Sequence, residues 1–527
     1  MRAAAVWPPL LPRDLTFPDA PVHANLEASA LLYPTKVAIR AGNRAWTYRD
    51  LQRDVERFAG FLRERGIGHG DRVAVWLQNC PEYVVAVYGA WRLGAVVSPL
   101  SPMLTGDEAP FFLADAGVSA LVTTASLYAR LADYRETPPS VLVGDDYPVP
   151  VGTVAWSEAI AAAPSPAAAV GASDIALLPY TSGTTGRPKG CVLPHSALQA
   201  TIVGAAAWFR HTAASVHLVT LPFFHITGFQ QSMHTALATG GEMIVMERWQ
   251  REEAARLLEE HRVTTWVGIT AMIVDLINHL DEHPRDLSAI RFVGGGGAAI
   301  PEDVHRRVRE TFGVPLVEGY GLTETASQTH LNPPDASRER CVGVPTFNTH
   351  CLILDSDLQP LPVGEVGEIA VSGPQVLREY WHRPDENSDA FVTIDGRRYF
   401  RTGDLGHVDA DGYFYVVDRL KRMINASGFK VWPAEVEARL YDHPAVSEAC
   451  VVGVGDPRRG ETVRALIILK PGYRDQITAA EIIDWSRERM SAYKYPREIR
   501  FVDALPRLAS GKIDWRDAQV KQNMNGG

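Results

Sequence analysis

At 527 residues the chain is far longer than one compact core needs, so a large multilayered domain with at least one smaller one is expected. A composition of 46% hydrophobic and 22% charged residues excludes disordered and fibrous classes, and the net charge of -10, from 52 Lys plus Arg against 62 Asp plus Glu, opposes a broad nucleic-acid or anionic-membrane footprint. Five scattered cysteines (Cys80, Cys191, Cys341, Cys351, Cys450) make neither a disulfide framework nor a CxxC zinc pair, which fits a reducing cytoplasm.

The N-terminal segment MRAAAVWPPLLPRDLTFPDAP is broken by Pro8, Pro9 and Pro12, lacks the uninterrupted core of a signal peptide, and is expected to lie extended on the surface. The longest apolar stretch, Tyr83 to Trp91, is too short for a transmembrane segment, which needs roughly 20 residues. From Trp46, Thr47 suits an N-cap with Asp50 three residues on, and WTYRDLQRDVERFAGFLRERGI predicts an amphipathic helix. The next stretch predicts a strand at Val73 to Leu77, a helix from Pro81 and a strand at Ala95 to Val97, which is the unit of a parallel sheet. Ala161 to Gly171, AAAPSPAAAVG, has the composition of a linker. The alternation resumes in HRVTTWVGIT, TAMIVDLINHL, AIRFVGGGG and PEDVHRRVRETF, with Pro301 as the expected first residue of a helix. The fold class is therefore α/β: a large N-terminal domain (residues 1–417) of stacked mixed sheets flanked by helices. After Asp411 the texture changes. A helix at Ala434 to Tyr441, strands at Ala449 to Val454 and Val463 to Leu469, and a helix at Ala479 to Met490 predict a small α+β domain over 422–527, with the charged connection 418–421 between the two.

Three runs carry chemistry. In YTSGTTGRPKG, Tyr180 to Gly190, Gly183 and Gly186 let backbone N–H groups approach phosphate oxygens, Thr181, Ser182, Thr184 and Thr185 add hydroxyl donors, and Lys189 offsets negative charge. It is not a Walker loop, and the same composition also suits a flexible surface linker. In EGYGLTET, Glu318 to Thr325, glycines Gly319 and Gly321 flank Tyr320, and Glu324 follows Thr323, so one turn offers a flat face for a base and a carboxylate for Mg²⁺. Glu324 also reads as a solvated loop carboxylate. The run GGGGAA, Gly294 to Ala299, follows a predicted strand and suits close approach of a ligand to backbone at Gly296, Gly297 and Ala298, or a mere tight crossing.

These runs, with YFRTGDLG, DRLKRMINASGFKVWPAEVE and LPRLASGKI in the same order, resemble the adenylate-forming superfamily of acyl-CoA synthetases, peptide-synthetase adenylation domains and firefly-type luciferases. The resemblance implies ATP, Mg²⁺ and coenzyme A as reactants, a small-molecule carboxylic acid as the partner, no nucleic acid, and a mobile C-terminal lid; a homodimer is left open. It assigns Glu318 to Gly321 and the glycine run to the nucleotide, with Tyr320 on adenine, Thr323 on the α-phosphate, and Thr184 and Glu324 on the metal. Asp404 and Arg419 correspond to ribose ligands, for which the competing reading is a salt bridge between them. Lys421 matches the hinge, Lys512 the lysine that stabilises charge during adenylation, and Ser427, Gly428 and Phe429 the segment beside the coenzyme A thiol. LPFFHITGFQQ resembles the acyl-pocket segment, with His225 and Phe229 as gates and the small residues Thr227 and Gly228 admitting a chain; a core helix start is the alternative. Ala299 departs from the proline common in the family. No Asp follows Phe223 and Phe224, which points away from amino acids. The expected reaction is formation of an acyl adenylate, then a coenzyme A thioester, from a medium- or long-chain fatty acid. An aryl acid, loading of a carrier protein, or a catalytically silent nucleotide binder remain open.

Overall fold

The computed structural model describes residues 6–144, 150–181, 187–296, 300–419, 422–426, 429–456, 460–474, 476–507 and 513–524. The backbone divides into two units, one of residues 3–350 with 371–400 and the other of 1–2, 351–370 and 401–527.

Among the described residues, the larger unit holds two large sheets and a two-stranded one. One has seven strands in the order Leu193–Pro194, Ile175–Leu177, Val96–Pro99, Arg72–Trp76, Ala120–Thr124, Ser140–Val143, Thr153–Ala155, parallel except for its first pair. The other has nine, and its centre runs parallel through Val216–Val219, Thr265–Gly268, Phe292–Gly296 and Leu316–Leu322. The α/β expectation is borne out. Helix Tyr48–Glu64 starts with the expected capping box, in which Thr47 and Asp50 bond each other's backbone N–H, and strand Arg72–Trp76, helix Pro81–Arg92 and strand Val96–Pro99 follow as predicted. The long apolar stretch is a central helix: Tyr83, Val84, Ala86, Val87, Tyr88, Ala90 and Trp91 are fully buried, in a core that draws Val73 and Val75 from one sheet and Ile39 and Met243 from the other.

Three local expectations need correction. Pro301 caps its helix rather than opening it, since Glu302–Phe312 is the helix and Pro301 has extended backbone. The segment 161–171 has a linker's composition but is fastened down. The Ser165 N–H donates to the Glu56 carbonyl, Ala168 N–H to the Arg92 carbonyl, and the Arg92 side chain returns a bond to the Ser165 carbonyl. Gly60 makes this possible, because a Cβ there would stand 1.8 Å from the Ala163 carbonyl oxygen. The N-terminal segment is likewise anchored rather than merely laid out: Trp7 packs edge-on against Trp208 and Phe347, with the Arg13 guanidinium 4.4 Å from its ring centre.

In the smaller unit, strands Val446–Asp456 and Gly460–Leu469 form a long antiparallel pair, and Glu498–Phe501 runs parallel to the second. Both faces are apolar. Ala449, Val451, Val463, Ala465 and Ile467 pack with Val436, Leu440 and Ile482, whereas Cys450, Val452, Val454 and Leu466 face Leu505 and Ala518. The period of two thus buries one set under helices Pro433–Tyr441 and Ala479–Arg489 and the other under Trp515–Met524. Among the described residues, no helix is long and apolar enough to cross a membrane.

The larger unit buries several histidines. Desolvation, aided by Arg92, brings His23 down to about 4, and desolvation brings His195 and His330 down to about 3. The unfolded chain protonates these rings near pH 6.5 while the native state does not, so acid favours unfolding. We expect the unfolding free energy to fall by several kcal/mol as pH drops from about 6.5 toward about 4, read from denaturant titrations at stepped pH, and His195→Gln to flatten that slope.

Candidate active site

Tyr180–Thr181 pairs antiparallel with Lys189–Gly190, Lys189 opposite Thr181, so the phosphate-loop motif is a hairpin whose base is fixed. Ser182, Gly183, Thr184, Thr185 and Gly186 lie outside the described residues. A brace sits under the hairpin. The Tyr180 hydroxyl donates to Asp115 Oδ2 at 2.8 Å, Arg383 Nη2 donates to Asp115 Oδ1 at 2.6 Å, and Trp381 Nε1 donates to the Asp115 carbonyl at 3.1 Å. Burial, then the Asp115 carboxylate, pushes the Tyr180 phenol above its ordinary value, so it remains a donor.

The second motif closes the strand Leu316–Leu322, which returns through Thr323–Thr325 into the antiparallel strand Ser327–Leu331. This reversal is too tight for ordinary residues. A Cβ on Gly321 would lie 1.6 Å from the Ser327 carbonyl oxygen, and one on Gly296 would lie 2.9 Å from the Gly319 carbonyl oxygen. Ala326 and Ser327 take φ of 46° and 97°, and Thr325 Oγ1 accepts from the Leu322 N–H and donates to the Ser327 carbonyl. The glycine run is therefore strand up to Gly296, with Gly297 and Ala298 outside the described residues.

Glu324 stands at the tip of this reversal and is 9% exposed, so it is not a solvated loop carboxylate. Its Oε1 accepts from the Tyr380 hydroxyl at 3.0 Å, and its carbonyl accepts from the Leu377 N–H at 2.7 Å. Lys189, 8% exposed, places Nζ 4.7 Å from the centre of the same Tyr380 ring. Two of the expected catalytic groups thus meet on one aromatic side chain. Burial, and then Glu324, raises both the Tyr380 phenol and the Cys191 thiol beside it. A buried carboxylate oxygen beside a lysine fits the donor chemistry of Mg²⁺ carried on phosphates, which takes one or two carboxylates.

Other expected residues fall elsewhere. The Glu318 carboxylate is bonded within the fold, to His305 Nε2 at 2.8 Å and to the Arg340 N–H at 3.2 Å. Tyr320 lies partly exposed in the strand, its ring 5.6 Å from that of His330. In the acyl segment the core alternative describes two residues. Phe229 is 1% exposed between Trp91 and His234, and a Cβ on Gly228 would meet the Pro222 carbonyl oxygen at 2.2 Å, so its bare Cα serves backbone packing and not a chain's passage. Both belong to a π-helical turn, Gly228–His234, while His225 and Thr227 stay partly exposed just before it.

In the smaller unit, Asp404 and Arg419 face each other across paired strands, Nε to Oδ1 2.9 Å, the carboxylate 4% and the guanidinium 49% exposed. Asp418 is no loose connector: it is buried, its Oδ2 accepts the Ala434 N–H at the start of helix Pro433–Tyr441, and Arg422 approaches at 3.7 Å. Lys421, Ser427, Gly428 and Lys512 lie outside the described residues, as does the side chain of Phe429, whose backbone pairs with Ala426. Arg507 and Ile513 bridge at the base of the segment that carries Lys512. Sequence reasoning missed Tyr380, Asp115 and Arg383, because no spacing rule links them to Glu324 or Tyr180. Asp115→Ala leaves a partly buried guanidinium and a partly buried phenol without their acceptor, and we expect it to cost about 2 kcal/mol in urea unfolding, with Asp115→Asn costing less.

Comparison with known proteins fits this arrangement. Residues 26–381 match the family of AMP-binding enzymes, and residues 435–512 match the C-terminal domain of AMP-binding enzymes. The chain is 33% identical over 542 residues to a long-chain-fatty-acid–CoA ligase of Bacillus subtilis (strain 168), covering 97% of this chain and 96% of that one. It is 37% identical over 490 residues to a feruloyl-CoA synthase of an Amycolatopsis species, covering 92% and 95%. Its fold is similar to o-succinylbenzoate CoA synthetase of Bacillus subtilis, solved with ATP and a magnesium ion at a TM-score of 0.82, 30% identity, and coverage of 95% of this chain and 99% of that one. The same synthetase solved with its acyl-adenylate intermediate gives a TM-score of 0.83. By these matches over nearly its whole length, the chain belongs to the AMP-binding enzyme family of adenylate-forming acid–thiol ligases.

Proposed function

We propose that this chain is an ATP-dependent acid–CoA ligase whose acid lacks an α-amino group. The carrying observation is the pairing of buried Glu324 with Lys189 on the Tyr380 ring. A carboxylate is a poor electrophile toward a thiol. Its attack on the α-phosphorus of ATP expels pyrophosphate and leaves a mixed anhydride, whose carbonyl then accepts the coenzyme A thiolate as AMP departs. Lys189 offsets charge on the phosphates, Tyr320 and Thr323 receive adenine and α-phosphate, and Glu324 with Thr184 holds the metal. Magnesium, when bound, neutralises phosphate oxygens. Asp404 and Arg419 take the ribose, Lys512 stabilises the charge of the adenylation step, and Ser427, Gly428 and Phe429 serve the thiol step after rotation at Lys421, between a body of 1–417 and a lid of 422–527.

For the acid, the closed space at Gly228 and the core position of Phe229 remove two features that suited a long chain. They support a compact aryl-bearing acid, consistent with the likeness to a feruloyl-CoA synthase. A medium- or long-chain fatty acid is the second reading, supported by the likeness to the Bacillus ligase and by SGFKVWPAEVE.

An ATP–pyrophosphate exchange panel over ferulate, benzoate, fatty acids of graded length and amino acids, each followed by thioester detection with coenzyme A or a phosphopantetheinyl carrier, tests the reading. Aryl acids are expected to lead and coenzyme A to accept; exchange with no acid at all ends the proposal. Glu324→Gln and Lys512→Ala are each expected to lower exchange about 100-fold or more. Lys421→Pro is expected to impair thioester formation far more than exchange, and equal loss of both refutes the hinge.

A further inference from the structure

Residues 377–381 stitch together the two segments that bear the charged groups. The Leu377 N–H donates to the Glu324 carbonyl at 2.7 Å and the Arg378 N–H to the Val192 carbonyl at 2.9 Å. The Val192 N–H returns a bond to the Glu379 carbonyl at 2.9 Å, and the Trp381 N–H donates to the Gly190 carbonyl at 2.8 Å. Cys191 and Tyr380 pair as an antiparallel bridge, so Tyr380 is held in register with the strand that begins at Lys189. Beyond it, Arg383 is tied to Asp115, which also holds Tyr180. The Tyr380 side chain is thus fixed by backbone on both sides, is 6% exposed, and reaches Glu324 with its hydroxyl and Lys189 with its ring face.

A glutamate has three side-chain torsions and a lysine four, and neither is placed by its own rotamer preferences. A buried tyrosine has two, and here packing fixes both. We propose that Tyr380 is a positioning residue that sets Glu324 for the metal and Lys189 for the phosphates, holding both charges in place before the nucleotide arrives. The hydroxyl fixes one carboxylate oxygen and thereby the plane of the other. The ring face attracts the ammonium without neutralising it, as a carboxylate partner does, so the positive charge stays available to phosphate. The proposal rests on the reading of Glu324 as the metal ligand.

The test is calorimetric titration of the full chain with ATP, once with Mg²⁺ and once with EDTA; the ratio of the two affinities is the gain conferred by the metal. Tyr380→Phe keeps the ring and loses the hydroxyl, and is expected to cut that gain about 10-fold while leaving metal-free ATP affinity at the wild-type value. Tyr380→Leu is expected to lose the gain and also to weaken metal-free binding about threefold, because the ring that holds Lys189 is gone. A Tyr380→Phe protein with the wild-type gain overturns the proposal. Glu324→Gln separates the two ideas: if it too retains the gain, the metal assignment itself falls, whereas loss in Glu324→Gln with retention in Tyr380→Phe removes only the role of Tyr380. Should Tyr380→Phe fold poorly, p-aminophenylalanine and p-methylphenylalanine at position 380 fill the same space with and without a donor. The first is expected to keep the gain and the second to lose it, and equal gains overturn the proposal.

Discussion

Everything at the candidate site depends on keeping a carboxylate and an ammonium charged where water hardly reaches. Removing a charge from water costs several kcal/mol even after the protein relaxes, unless donors or opposite charges replace the lost hydration. Glu324 is 9% exposed and Lys189 8% exposed, and between them lies a tyrosine that offers a hydroxyl proton to one and a π face to the other. This arrangement solvates both groups without letting them cancel. A direct contact between them would be stronger in the resting protein and would leave less charge for a ligand. In the role proposed for Tyr380, this separation keeps both charges available to a ligand, which is the usual use of preorganised charge.

The sheets deliver these groups to their places by steric means. Glu324 lies just beyond the carboxyl end of Leu316–Leu322, a strand parallel to Phe292–Gly296, and such strand ends are where open α/β sheets expose backbone to ligands. The reversal that carries Glu324 closes only because Gly321 lets the Ser327 carbonyl come within what would be 1.6 Å of a Cβ, and because Gly296 admits the neighbouring strand at Gly319. These glycines are needed for backbone packing whether or not a nucleotide is bound. The motif's spacing is in this sense a packing requirement, and the electrostatics of Glu324 is built upon it.

Local pattern in the sequence carried a large part of the fold. Thr47 with Asp50, Pro81 at the head of a helix, and the apolar runs at Ala449 to Val454 and Val463 to Leu469 are signals that neighbours a few residues apart impose on one another, and each appears where expected. What failed was the reading of residues whose meaning is set by distant chain. Gly228 looked like open space and is closed by Pro222; Phe229 looked like a gate and is wedged against Trp91 and His234; the alanine and proline run at 161–171 looked loose and is bonded to Glu56 and Arg92. Tyr380 and Asp115 were invisible for the same reason, since their partners lie 56 and 65 residues away, at Glu324 and Tyr180, and no periodicity spans such a gap. The acid's identity suffers most from this, because a pocket wall is defined by what stands opposite it.

The pair in the smaller unit makes a resting contact between two residues proposed to take a ribose. Asp404 and Arg419 form the salt bridge that competed with a ribose role in the reading of the sequence. A carboxylate has about four lone-pair positions, and a guanidinium five donors in a fixed fork, so an ion pair between them and bonds to a diol are chemically compatible. Their exposures differ in a useful direction. The Asp404 side chain is 4% exposed and held by the strand, whereas that of Arg419 is 49% exposed. In the proposed ribose role, the salt bridge is the scaffold that aims the acid.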